Sequence, residues 1–289
     1  MSAHAAPTKR LALGDLVAKR DAGEPIVMVT AYDFPSAQIV EAAGVDIVLV
    51  GDSAAMTALG YDSTVPVTID EMLMLTKAVR RGLTRPLLIG DLPFGSYEAS
   101  DEIAIATAQR FIKEAGVDLV KIERGGTTVD RARALVNAGI PVVGHVGLTP
   151  QTATALGGYR AQGRTAEAAL AVIDDALALQ AAGVSLLVVE AVPSEVTAAL
   201  MPLLDIPVIG IGAGADADGQ VLVFHDLLGI YAGGAAKFVK RYADLRAASV
   251  EGVAAYADEV RDGVYPGPEH GYGMPEGEAA RLRELIAGR

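Results

Sequence analysis

The sequence predicts an α/β fold, specifically a (β/α)8 TIM barrel, and three observations predict it. Short apolar runs rich in Val, Ile and Leu recur along the chain without regular polar alternation, as strands buried on both faces do. Helical patterns separate these runs. A junction of Ala-Gly and a β-branched residue recurs between helix-like and strand-like stretches, at Ala43-Gly44-Val45, Ala115-Gly116-Val117, Ala138-Gly139-Ile140 and Ala182-Gly183-Val184. Glycine there can adopt the left-handed conformation that ends a helix, and the branched residue after it starts a strand.

The elements follow in order. Leu11 to Arg20 reads as an extra N-terminal helix able to close the barrel bottom. Strand-like runs are expected at 25–30, 45–51, 86–90, 117–122, 141–144, 184–189 and 207–212, with a weaker eighth at 220–224. Between them, Thr68-Ile-Asp-Glu71 is a capping box opening a helix toward Arg81, and Gly82 is placed like the junction glycines. Ser100 can cap a helix ending near Ala115, and residues 165–182 carry helical spacing. About eight of each element over 289 residues suits the barrel, with a doubly wound open sheet as the alternative. Residues from Asp244 onward read as additional C-terminal helices outside the repeat. No linker divides the chain, so a single barrel domain over 1–289 is expected, with its core at about 25–243 and a helical extension at about 244–289.

Composition narrows the function. A net charge of −12 disfavours nucleic acid as a partner. The chain has no cysteine, which removes disulfides and thiolate metal sites. Neither a signal-peptide pattern nor a membrane-length apolar run is present, so a cytoplasmic protein acting on small molecules, without a membrane, is expected.

Nearly every apolar run ends in an ionisable residue, the seventh excepted. Asp33, Asp52, Asp91, Lys121 with Glu123, His145, Glu190 and His225-Asp226 all fall there. In a barrel these strand ends meet at one mouth. Each has a plainer reading alone. Asp33 can cap a helix, Lys121 and Glu123 can pair, His145 can be a core histidine and Asp226 a turn residue. Their shared position is what points to a site. Asp52, Asp91 and Glu123 form an oxygen-rich set suited to Mg²⁺ before Mn²⁺, rather than Zn²⁺. Glu190 ends an apolar strand and is a candidate general base. Ile209-Gly-Ile-Gly-Ala-Gly214 reads as the loop after strand seven, where backbone amides can approach a ligand, rather than as a dinucleotide fingerprint. Residues 147–164, with Arg160 and Arg164, are long enough to form a lid.

Taken together, these motifs resemble one family, ketopantoate hydroxymethyltransferase. The segments carrying the resemblance begin with Thr30-Ala-Tyr-Asp33, Val50-Gly-Asp-Ser53 and Asp62-Ser-Thr-Val-Pro-Val-Thr68. Asp91-Leu-Pro-Phe94, Val120-Lys-Ile-Glu123 and Gly144-His-Val-Gly-Leu-Thr-Pro-Gln151 follow. Gly157-Gly-Tyr-Arg160, Gln162-Gly-Arg164, Val189-Glu-Ala-Val-Pro193 and Ile206-Pro-Val-Ile-Gly-Ile-Gly-Ala-Gly214 complete the series. The resemblance implies transfer of a hydroxymethyl group from 5,10-methylenetetrahydrofolate to 3-methyl-2-oxobutanoate, giving 2-dehydropantoate, the first step of pantothenate biosynthesis. It implies Mg²⁺ at Asp52, Asp91 and Glu123, and substrate contacts at Asp52, Ser53, Asp91 and Lys121. Glu190 matches the proton acceptor, and a homo-oligomer, commonly a decamer, is implied. Ala54-Ala55, Arg124, Arg160, Ala161, Gly271-Tyr272 and the tail 275–289 depart from the family pattern without replacing a proposed ligand. Two other readings share the site: a metal-dependent aldolase or lyase acting on a 2-oxo acid, and a non-catalytic barrel that binds one.

Overall fold

In the computed structural model, which describes residues 9–234 and 236–289, eight parallel strands close into a barrel in chain order. They are β1 (Ile26–Thr30), β2 (Ile47–Val50), β3 (Leu87–Asp91), β4 (Leu119–Glu123), β5 (Val142–Gly147), β6 (Leu186–Glu190), β7 (Val208–Ile211) and β8 (Gly219–Leu222). Pairing of β1 with β8 closes the sheet and rules out the open alternative. The eighth strand starts one residue earlier than expected, and Phe224 opens a short helix instead of ending it.

The helices are α1 (Leu13–Asp21), α2 (Phe34–Ala42), α3 (Ala54–Thr57), α4 (Ile69–Arg81), α5 (Asp101–Arg110), α6 (Thr128–Asn137), α7 (Ala166–Ala181), α8 (Ser194–Leu200) and α9 (Phe224–Leu227). Local chemistry sets their ends. Thr68 and Glu71 close the capping box of α4, each side chain accepting the other's backbone N–H. The last turn of α5 widens into a π-helical turn at Phe111–Ala115, ended by left-handed Gly116. Gly44, Gly139 and Gly183 are left-handed too, but Gly82 is not, at φ −90°. Space fixes Gly82 instead: a Cβ there would lie 2.7 Å from that of Ala37.

Strands β1 to β7 each feed two cores, and β8 feeds the lumen through Val221. One face of the sheet packs against the helices through Val48, Leu88, Val120, Val142, Leu187 and Val208. The other fills the lumen with Met28, Ile47, Ile89, Leu119, Val143, Val188 and Ile209. Burial on both sides is why the strands show no polar alternation.

At the bottom of the barrel, Leu16 of α1 is 1 % exposed within the lumen cluster, with Leu11 and Leu13 packed against it. The N-terminal helix thus plugs the barrel. Around this end Asp46, Asp118 and Asp218 accept the backbone N–H groups of Val27, Leu88 and Val208. Lys19, Arg85 and Arg10 pair with the first two of these carboxylates.

Residues 212–218 join β7 to β8 with no helix, contrary to the expected alternation. The link is short, and Gly212 and Gly214 take positive φ, which a helix does not accommodate. Val27 on β1 remains 47 % exposed.

The chain divides into two compact units, Met1–Tyr242 and Ala243–Arg289. The second contains α10 (Leu245–Arg261), a 3-10 turn at Pro268–His270 and α11 (Glu278–Ala287). Tyr265 packs against both Tyr256 and His270 there, with ring centroids 5.3 and 5.0 Å away. No helix is long and apolar enough to cross a membrane among the described residues.

Leu16→Ala removes the plug and leaves a cavity at the lumen floor. It should destabilise the first unit by about 2–4 kcal/mol in urea unfolding. A change below about 0.5 kcal/mol would show that α1 does not close the barrel.

Candidate active site

The lumen becomes polar at its C-terminal end, and strand periodicity explains how. Side chains two apart share a face. The phase that points Ile89, Leu119, Val143 and Val188 into the lumen therefore also points Asp91, Lys121 with Glu123, His145 and Glu190 there. Register sets the neighbours: Asp91 lies beside Lys121, and Glu123 beside His145.

The resulting cluster is dense. Lys121 Nζ lies 3.3 Å from Asp91 Oδ2 and 3.2 Å from Glu123 Oε1, with all three side chains at most 4 % exposed. His145 spans two carboxylates, its Nδ1 3.1 Å from Glu123 Oε1 and its Nε2 3.2 Å from Glu190 Oε2. Lys121 also approaches His145 Nδ1, at 3.2 Å. Glu190 is the least buried of the group, and its side chain lines the cavity above. Asp52 follows β2, where its backbone N–H donates to Asp91 Oδ2 at 3.0 Å.

Two uncharged side chains brace this arrangement, and sequence reasoning gave neither a role. Gln151 Nε2 donates to Asp52 Oδ2 and to the Leu92 carbonyl, both at 2.9 Å, while its backbone N–H donates to Glu123 Oε2 at 3.1 Å. Tyr97 donates its hydroxyl proton to Gln151 Oε1 at 2.6 Å and accepts the Glu123 N–H at 3.2 Å. Gln151 lay inside a quoted motif, whereas Tyr97 sits in an irregular loop with no periodic signal.

The backbone is constrained at the same points. Arg124 and Ala191 are the described non-glycine residues with positive φ, and they directly follow Glu123 and Glu190. Ladder-type bonds from their N–H groups to His145 O and Ile211 O hold them, both at 2.9 Å. Gly147 is needed beside them, since a Cβ there would run into the Glu190 carbonyl.

Charge is unevenly matched. Burial first, then Glu123 and Asp91, pushes the Asp52 carboxyl well above its ordinary range. Burial also raises Asp91, although Lys121 opposes it. Burial acts to lower the Lys121 ammonium, but Asp91, Glu123 and Asp52 outweigh it and hold the group charged. Burial would raise Glu123, yet Lys121 and His145 bring it down to about 2. For His145, burial and Lys121 act downward, but Glu123 and Glu190 raise it to about 9. Carboxylates outnumber cations here, so a further cation would relieve the strain on Asp52 and Asp91.

One observation tests whether a metal fits. Asp91 Oδ1 is buried without a hydrogen-bond partner, and Asp52 stands beside it. Two adjacent carboxylates, one with a free oxygen, form an oxygen donor set suited to a hard cation. Glu123 is already shared by Lys121, His145 and Gln151, and the described residues contain no ready-made group of three His, Asp or Glu ligands.

The other expected residues divide. Ser53 lines the cavity, its Oγ 2.8 Å from Tyr32 Oη. Asp33 caps α2, accepting from Ser36 N at 2.7 Å, so its role there is structural. His225 stacks on Tyr32 at 5.3 Å, and Asp226 is half-buried on the cavity wall. Gly212 and Gly214 border the cavity as expected, but they make room for protein: Cβ atoms there would strike Phe238 and Ser194. The 147–164 stretch forms a 3-10 turn at Pro150–Thr152 and further turns. Tyr159, Arg160 and Ala161 lie on the cavity wall, while Arg164 is exposed and does not line it.

The His145 shift has a measurable sign. Its folded pKa of about 9 exceeds the ordinary 6.5. Its protonation therefore stabilises the folded chain fully below pH 6.5, and this contribution is lost as pH rises through about 9. In metal-free protein, the stability gap between the native chain and His145→Gln should narrow across that window in urea unfolding. A gap independent of pH would contradict the assignment.

Comparison with known proteins gives the family. A family profile described as ketopantoate hydroxymethyltransferase matches residues 10–268. The 3-methyl-2-oxobutanoate hydroxymethyltransferase of Geobacillus kaustophilus is 52% identical over 268 residues, which is 93% of this chain and 96% of that protein. The protein of the same name from Oleidesulfovibrio alaskensis is 48% identical over 288 residues, covering 100% and 99%. Among solved structures, a phosphonopyruvate hydrolase complexed with oxalate and Mg²⁺ superposes with a TM-score of 0.58 at 13% identity, covering 95% of this chain and 98% of that one. A 2,3-dimethylmalate lyase of the PEP mutase/isocitrate lyase superfamily gives 0.56 at 15%, with coverage of 95% and 98%. These last likenesses concern the fold. The family match over residues 10–268 and the near full-length identity to two hydroxymethyltransferases go further: the chain belongs to the ketopantoate hydroxymethyltransferase family.

Proposed function

We propose that the chain transfers a hydroxymethyl group from 5,10-methylenetetrahydrofolate to 3-methyl-2-oxobutanoate, yielding 2-dehydropantoate for pantothenate biosynthesis. The observation that carries this reading is the shared mouth. Glu190, partly open to the cavity, is joined through His145 to the Lys121–Glu123 pair and the paired aspartates.

Asp52 and Asp91 would hold Mg²⁺, with Glu123 as a further ligand once it gives up one of its present bonds. Bound there, the cation supplies Lewis acidity toward the keto oxygen of the substrate. The chain's own residues account for the remaining work. Lys121 and Ser53 orient the 2-oxo acid, and the Lys121 ammonium offsets charge that develops on its oxygens. Glu190 accepts the proton from C3, and the C–H electron pair becomes the enolate double bond. Water releases the one-carbon unit from the folate as formaldehyde, breaking its two C–N bonds and leaving two N–H groups on the carrier. C3 of the enolate then bonds to that carbon, and its oxygen takes the proton held by Glu190 to give the hydroxymethyl product. His145 is hydrogen-bonded to Glu123 through Nδ1 and turns Nε2 toward Glu190, so its charge acts on the base and on the cluster together. Tyr97 and Gln151 keep Asp52 and Glu123 in place.

An aldolase or lyase would use the same enolate without folate, so folate dependence separates the readings. A binding-only barrel has no use for a base beside a charged cluster. We also propose a cytoplasmic homo-oligomer, a decamer as the family resemblance implies. Light scattering at assay concentration should return a multiple of 29.8 kDa, and a monomer mass would overturn that part.

Product formation should require both Mg²⁺ and methylenetetrahydrofolate. Glu190→Gln should lower kcat by about 10²–10⁴-fold, the usual contribution of a positioned base. Turnover that survives without folate, or in the variant, would overturn the proposal.

A further inference from the structure

The charged cluster occupies only the floor of a larger space. Above it lies a cavity of about 940 Å³, with Ser53 and Glu190 on its inner wall. That volume is near the upper end of what drug-sized ligands fill, and it exceeds what a five-carbon oxo acid needs. A second, larger ligand is therefore accommodated beside the reacting carbon.

The remaining walls have a distinct chemistry. Asp226 presents a half-buried carboxylate. Burial raises its pKa, only the charge of Arg241 opposes this, and no hydrogen bond contributes. Leaving such a group unpaired is costly, and a ligand edge with two adjacent N–H donors would satisfy it. Tyr159 and Tyr231 offer aromatic faces, Tyr159 being 52% exposed. Arg160 and Lys237 are exposed cations on the rim of a chain whose net charge is −12. A ligand matching all three features has a flat amino-oxo heterocycle at one end and carboxylates at the other. A guanine base offers the same donor edge, so it is the one-carbon transfer proposed above that selects a pterin.

We propose that this cavity docks the pterin one-carbon carrier, with the N3–H and 2-amino edge of the ring on Asp226. In this orientation the ring faces meet Tyr159 and Tyr231, and the glutamyl tail leaves past Arg160 and Lys237. The methylene carbon lies between ring and tail, on the side of the cavity that Glu190 borders. This rests on the one-carbon transfer proposed above and adds the residues that recognise the carrier.

Steady-state kinetics of Asp226→Asn, with calorimetric titration of tetrahydrofolate, tests the placement. The variant should raise the KM for methylenetetrahydrofolate and the Kd for tetrahydrofolate by about tenfold or more, as loss of a charged hydrogen-bond partner does. The KM for 3-methyl-2-oxobutanoate should move far less. Lys237→Ala, at an exposed position, should weaken the glutamyl carrier but not a pteroyl analogue that lacks the glutamate. If tetrahydrofolate binds the native chain and Asp226→Asn equally well, this site is overturned alone. A native chain that neither turns over nor binds tetrahydrofolate overturns the one-carbon reading and this site together.

Discussion

The mouth of this barrel depends on one buried ammonium. Lys121 lies between Asp91 and Glu123, each within 3.3 Å, at a depth where unpaired charge is prohibitive. Without it, Asp52, Asp91 and Glu123 would repel one another in low dielectric and take up protons. With it they stay partly charged, and the remaining imbalance favours a divalent cation. Breaking the pair by removing Lys121 would leave the aspartates uncompensated rather than merely remove a contact.

The barrel makes this cluster rigid. Asp91, Lys121, Glu123 and His145 come from three adjacent strands, and their spacing follows the ladder register. A shift of one residue in any strand would turn its polar side chain into the helix layer. The lumen below is filled and plugged by Leu16, so the charges rest on a packed floor. Positive φ at Arg124 and Ala191 concentrates backbone strain directly after the two glutamates that the ladder has to aim.

Much of this was legible in the sequence for a physical reason. Apolar runs bounded by junction glycines follow from helix termination and double-sided burial, both local effects. The polar residues at strand ends stood out because charges immediately after apolar strands demand partners. What was not legible depends on tertiary proximity. Gln151 and Tyr97 lie 54 positions apart yet share a hydrogen bond, and nothing in either neighbourhood announces it. Asp226 reads as a turn residue until the cavity wall is known. The missing helix between β7 and β8 had a local cue in its glycines, but the regular alternation elsewhere outweighed it. Gly82 looked like a left-handed cap, whereas close packing against Ala37 is what excludes a side chain there.

The central claim is that the cluster activates C3 of a 2-oxo acid through Glu190 with a divalent cation beside it. The most direct measurement is NMR of 3-methyl-2-oxobutanoate in D₂O with the native chain and no folate, with and without Mg²⁺. The account predicts loss of the C3 proton signal that requires both protein and Mg²⁺. Signal retained under every condition, or lost equally without Mg²⁺, would contradict it.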